Sequence, residues 1–152
     1  MILDAVMHAS SVEEILALPD VAERVELYRA QSALFEDQLR RCSTQRGDVV
    51  VVDLRGEDVI HAGNRFVVYA LFPTARVSVH VLWGREKLNT VLAVGKSIVD
   101  RTSPVDVGAV CLRHGGGGHQ AAGTCQVSHE DAERVLAEVV DAVATEREPA
   151  GV

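Results

Sequence analysis

Apolar residues in the first 46 positions recur at helical spacing. The run MILDAVMHA predicts a first helix, and Ser11-x-x-Glu14 forms a capping box for a short second one. A long third helix is predicted from Pro19, where proline suits the first helical position. In it Val21, Val25, Tyr28, Ser32, Phe35 and Leu39 fall at alternating steps of four and three. That pattern gives an apolar stripe one residue wide, which needs a partner surface.

From RGDVVVVDLR onward the period shortens. Strands are predicted at 48–54, at 75–83 in ARVSVHVLW and at 89–95 in NTVLAVG. The intervening NRFVVYALFP is continuously apolar and is read as a helix ended by Pro73. Ser103 as cap, Pro104 and Asp106 predict a short helix to about His114, with Gly115 as its left-handed terminator. AGTCQV then reads as a strand. Ser128-x-x-Asp131 caps a last helix whose Ala132, Val135, Leu136, Val139 and Val143 face inward. The expected fold is α/β: a mixed β-sheet of about five strands flanked by helices. A helical connector precedes it over residues 1–46, the domain proper covers 47–146, and a disordered tail, charged and proline-bearing, covers 147–152.

Bulk properties narrow the function. The 152 residues, 47% hydrophobic and 24% charged, suffice for one soluble domain with a real core. A net charge of −7 argues against gripping duplex nucleic acid by broad phosphate neutralisation. It leaves room for a local basic group among Arg85, Lys87, Lys96, Arg101 and Arg113. Three scattered cysteines, with no signal peptide and no 18-residue apolar run, point to the reducing cytoplasm and away from the membrane.

Two stretches carry candidate chemistry. Gly95-Lys96-Ser97 ends like a phosphate loop, but that motif needs a glycine where Thr90 stands, so a nucleoside-triphosphatase P-loop is excluded. What remains is Lys96 and Ser97 leaving a strand, with Arg101 nearby, as anion contacts. The second stretch is HGGGGHQAAG, residues 114–123. Four successive glycines weaken a fold unless backbone must approach something closely. One reading is a flexible linker, although the run is tightly framed by predicted elements. Another is a small zinc module using Cys111, His114, His119 and Cys125. The third is an anion nest in which the amides of Gly115, Gly116, Gly117 and Gly118 meet a phosphate oxygen and His119 adds a side-chain donor.

GGGGHQAAGT, preceded by a strand ending in GKS and a short helix, closely resembles the signature of the DHH-associated domain, the C-terminal half of DHH-family phosphoesterases. That family includes RecJ-like exonucleases, oligoribonucleases, cyclic-dinucleotide phosphodiesterases and exopolyphosphatase-related proteins. The resemblance covers about residues 45–145, and 1–44 look like the helical connector joining the two domains. It implies that Gly115 to Gly118 and His119 bind the phosphate next to the scissile bond, and that Lys96 and Ser97 contact phosphate or nucleotide where relatives often have Arg-Ser.

Three residues separate His119 from Gly123, where RecJ-like members usually have four. This favours the oligoribonuclease or exopolyphosphatase-related branch. The Asp-His-His triplet of the family's two-metal catalytic domain is absent, so this chain alone is expected to be inactive. The resemblance thus implies a partner N-terminal DHH catalytic domain carrying manganese or magnesium. It further implies a short single-stranded oligonucleotide or dinucleotide as substrate. The apolar stripe of the third helix implies docking on that domain or a homodimer. A different class also fits: a non-catalytic RNA-binding module, like the related domain of alanyl-tRNA synthetases.

Overall fold

A computed structural model of the chain describes residue 4 and residues 7–145. Most of the expected first helix and the whole of the expected 147–152 tail lie outside the described residues. Ser11 caps α1 (Val12–Ala17) by accepting the Glu14 amide, as its spacing predicts. Helix α2 (Pro19–Cys42) begins on its proline and runs straight into β1 (Ser43–Arg46). A turn at Gly47, φ 59°, leads back through β2 (Val49–Asp53), which pairs antiparallel with β1. The helical connector therefore ends at Cys42, and its last four residues are sheet. STQR has no apolar alternation to announce this edge strand, which is held by backbone pairing.

Helix α3 (Val67–Leu71) stops short of Pro73 and forms the crossover that a parallel β2–β3 pairing requires. Strand β3 (Val77–Trp83), a 3₁₀ turn (Arg85–Lys87) and β4 (Thr90–Lys96) follow. Next come α4 (Val107–Leu112), β5 (Gly117–His119), β6 (Ala122–Val127) and α5 (Ala132–Val143). The six strands lie in the order β1-β2-β3-β4-β6-β5, with only β2–β3 parallel. The mixed sheet expected from sequence is present, with β1 and β5 added at its two edges.

Alternation along the strands divides the core between the two faces of the sheet. One face carries Val49, Val77, Val79, Val81, Leu92 and Val94, covered by α4 and α5. The inward residues expected for α5 are all buried, joined by Val140. The other face carries Val50, Val52 and Leu54 under Leu39 of α2 and Val68 and Tyr69 of α3. The Tyr69 hydroxyl lies 2.8 Å from Ser78 Oγ and 2.7 Å from the Gly95 carbonyl, tying α3 to β3 and β4. Behind α5 the Thr145 amide donates to buried Asp48, fastening the chain to the β1–β2 turn. Along the α2 stripe Leu39 is buried, Val21, Val25, Ser32 and Phe35 are half-buried and Tyr28 is exposed, and beside it Leu27 and Leu34 are exposed.

His80, on β3 beside Val52 and Ala93, makes the fold sensitive to acid. Burial, reinforced by Arg65, pushes its pKa down to about 4. Between the ordinary histidine value near 6.5 and about 4, the unfolded chain binds a proton that the folded chain does not. Stability is therefore expected to fall as pH drops through that window and to level off below it. Denaturant melts of the wild-type protein and His80→Gln across pH 4–7 would test this, the variant giving the flatter dependence.

Candidate functional site

The glycine run first ends a helix. Gly115 sits at φ 77°, and its amide donates to the Leu112 carbonyl at 3.1 Å, while the Gly116 amide donates to the Cys111 carbonyl at 3.0 Å. These two bonds, three and five residues back, close α4 through a left-handed glycine, as expected for Gly115. They also correct the four-amide nest: the amides of Gly115 and Gly116 turn inward onto carbonyls. The helix itself starts later than the Ser103–Pro104 signal suggests. Asp106 is the cap, accepting the Ala109 amide at 3.0 Å.

Gly117, Gly118 and His119 form β5, which pairs in the register Gly117↔Thr124, Gly118↔Gly123, His119↔Ala122. Gln120 and Ala121 make the two-residue turn. Most of the glycines here are required by close packing. A Cβ on Gly116 would lie 2.0 Å from the Thr124 carbonyl oxygen, and one on Gly118 would lie 2.3 Å from that of Ala122. A Cβ on Gly108 would meet the Gly118 carbonyl at 2.8 Å, so α4 rests directly on the hairpin backbone. Gly117 differs: a Cβ there would meet nothing within 4 Å. As the edge strand β5 has a neighbour on one side only, so every second amide is left out of the ladder.

Between α4 and this hairpin opens a cavity of about 350 Å³, lined by Asp106, Gly108, Ala109, Leu112, Gly117, Gly118, His119 and Gln120. Its size is that of a small-ligand site. The Val107 amide donates to the Gln120 carbonyl at 3.2 Å and fixes one end. His119 is exposed at this cavity, and its Nδ1 accepts the Ala121 amide at 3.2 Å. In the neutral ring the proton is then on Nε2, which remains a free donor.

The other expected anion contacts divide. The Lys96 amide donates to the Ala121 carbonyl, placing this strand end beside the hairpin turn. Its ammonium donates to the Ser103 carbonyl at 3.0 Å, and Lys96 does not line the cavity. Ser97 is 3% exposed, lies outside the cavity lining, and its hydroxyl oxygen accepts the amides of Val99 and Asp100, so it shapes a turn. Arg101 is exposed, with Nε donating to the Ile98 carbonyl, and also lies outside the lining.

The zinc constellation is not assembled. Cys111 and Cys125 are buried, and burial pushes both thiols up, Cys125 to about 11. His114 Nδ1 instead lies 3.8 Å from Glu138, and His119 Nδ1 takes the Ala121 amide. Among the described residues no group of three or more His, Cys, Asp or Glu converges as a metal site. None of the described helices is long and apolar enough to cross a membrane.

Sequence reading missed Asp106, Ala109, Leu112 and Gln120 as cavity residues. The available signal was Gly108, a helix-interior glycine that costs about 1 kcal/mol relative to alanine and so implies a close backbone approach.

Comparison with solved structures finds the same fold in known proteins. The chain superposes with a TM-score of 0.89, at 50% identity and over 93% of its length, on a pGpG-specific phosphodiesterase, PggH from Vibrio cholerae. It spans about half of that protein, 48%. A DHH domain from a protein described as a member of a ribosomal-protein family matches at TM-score 0.61 and 12% identity, over 92% of this chain and 36% of its own, a likeness of fold. No family model matches the sequence, and no curated protein matches it.

Proposed function

We propose, from the premise that the chain belongs to the DHH family as its DHH-associated domain, that it holds the substrate for a phosphodiesterase acting on short single-stranded oligonucleotides or dinucleotides. The observation that carries this reading is the half-identical match over nearly the whole chain to a pGpG-specific phosphodiesterase. The cavity edged by the glycine hairpin and His119 gives that match a chemical rationale. His119 Nε2–H donates to a non-bridging phosphate oxygen at the cavity, and the side-chain-free edge of β5 lets that phosphate come close to backbone. Ala109 and Leu112 give the sugar or base an apolar wall.

None of the residues lining the cavity is a lysine or arginine, so this wall by itself does not supply the counter-charge for a phosphate. In this reading an N-terminal DHH catalytic domain closes over the cavity. The described residues do not fit a divalent-metal centre, and the manganese or magnesium used by the family has its ligands on that domain. The solvent-facing apolar side chains of α2 suit such a packing partner.

The purified chain, incubated with pGpG and manganese, is expected to release no mononucleotide, whereas the same chain together with its DHH catalytic domain hydrolyses pGpG. Product chromatography reads both arms. Hydrolysis by the chain alone, or none by the pair, overturns the reading.

A further inference from the structure

A site for bare phosphates is normally cationic, because several closely spaced negative charges must be met together. This cavity is the reverse. Its lining comprises three glycines, Ala109, Leu112, the carboxamide of Gln120, the imidazole of His119 and one carboxylate, Asp106. That carboxylate is exposed. One oxygen accepts the Ala109 amide, and the other has no hydrogen bond among the described residues. A carboxylate only accepts hydrogen bonds, so beside a phosphate it favours a ligand that brings an O–H or N–H and opposes one that brings more charge.

We propose that Asp106 makes this cavity selective for an internal phosphodiester, which brings one charge at the bound phosphate and whose sugar or base supplies a hydrogen-bond donor, and rejects polyphosphate chains. The inference rests on the phosphate-holding role of the hairpin and adds to it a residue that discriminates against polyphosphate. Two independent features of the cavity point the same way. Ala109 and Leu112 offer apolar contact that a polyphosphate cannot use, and the single charged group has the wrong sign for one. A ribose hydroxyl or the N–H edge of guanine satisfies the carboxylate directly.

Asp106→Asn separates charge from structure. Asparagine caps helices as well as aspartate and keeps an oxygen for the Ala109 amide, so α4 stays formed while the charge is removed. The probes are GpG, with one diester charge, and tripolyphosphate. Both are titrated into the chain and followed through the backbone amide NMR signals of Gly117, Gly118 and His119. In the wild-type protein GpG shifts these signals and tripolyphosphate does not. In Asp106→Asn tripolyphosphate binding rises about tenfold, as expected for removing one like charge at a half-open site, while GpG binding falls or holds. Equal binding of the two probes by the wild-type protein, or an unchanged preference in Asp106→Asn, overturns the selectivity. Failure of GpG to shift these signals in the wild-type protein is a distinct result, which overturns the hairpin site and this inference together.

Discussion

His119→Ala is expected to lower kcat about 100-fold in an enzyme containing this chain and its catalytic domain, with KM moving by no more than about threefold. The imidazole is exposed at the end of β5, beside the two-residue turn, and packs into no core, so the fold should tolerate its loss. Its effect lies in the donor. With Nδ1 occupied by the Ala121 amide, Nε2–H is held at the cavity before substrate arrives. A preorganised donor of this kind strengthens as charge builds on the phosphoryl oxygens, and removing one costs about 10²–10³ in turnover. His119→Gln, which keeps an amide N–H at similar reach, should recover part of the loss. Steady-state kinetics divides the possibilities. A rise in KM at unchanged kcat would mean that the histidine binds substrate and transition state equally, contrary to the role assigned.

The second large effect is structural and comes from neighbouring glycines with opposite outcomes. Gly116→Ala would put a methyl group 2.0 Å from the Thr124 carbonyl oxygen and 2.7 Å from the Cys125 Cα, both backbone atoms that cannot rotate away. The hairpin must separate from α4 or distort, at a cost of about 3 kcal/mol or more. For a domain of this size that corresponds to a fall in Tm of roughly 10 °C. Gly117→Ala meets nothing within 4 Å and needs no positive φ, so its melting temperature should stay within about 2 °C of wild type. Thermal melts followed by circular dichroism compare the two directly. Similar melting temperatures for both variants would show that the run is a loose loop. A stable Gly117→Ala protein then serves for ligand titration, since its methyl group narrows the cavity without disturbing the fold.

Legibility differed by element for physical reasons. Helix α5 was plain because its apolar residues repeat at helical spacing behind a capping sequence, and every one assigned inward is buried. Strands β2, β3 and β4 were plain because buried strands concentrate valine, as a continuous run in β2 and with alternation in β3 and β4. Strand β1 was not, since STQR pairs through its backbone at a sheet edge and owes nothing to side-chain pattern. Strand β5 was hidden by its composition: two glycines and a histidine carry no strand propensity, and only the pairing with β6 makes them one.

For the site, the sequence pointed to the right hairpin but overstated its donors. A run of glycines is equally the mark of an anion nest and of backbone packed against backbone. Local reading cannot separate the two, because the contacts at Gly116 and Gly118 come from β6. The wall formed by Asp106, Ala109 and Leu112 was invisible for the same reason: it exists only once Gly108 lets the helix settle on the hairpin.

The tight turn at Gln120 and Ala121 has an evolutionary corollary. Its length decides where the imidazole points, because His119↔Ala122 is the last rung of the ladder and the Gln120 carbonyl is simultaneously the anchor for Val107. One inserted residue would either widen the loop and carry that carbonyl off its anchor, or slip the strand by a rung and swing the ring to the opposite side of the sheet. A relative with four residues between the histidine and the following glycine would therefore have to rebuild the helix-to-hairpin joint, so indel length at this corner should sort such proteins into mechanically distinct branches.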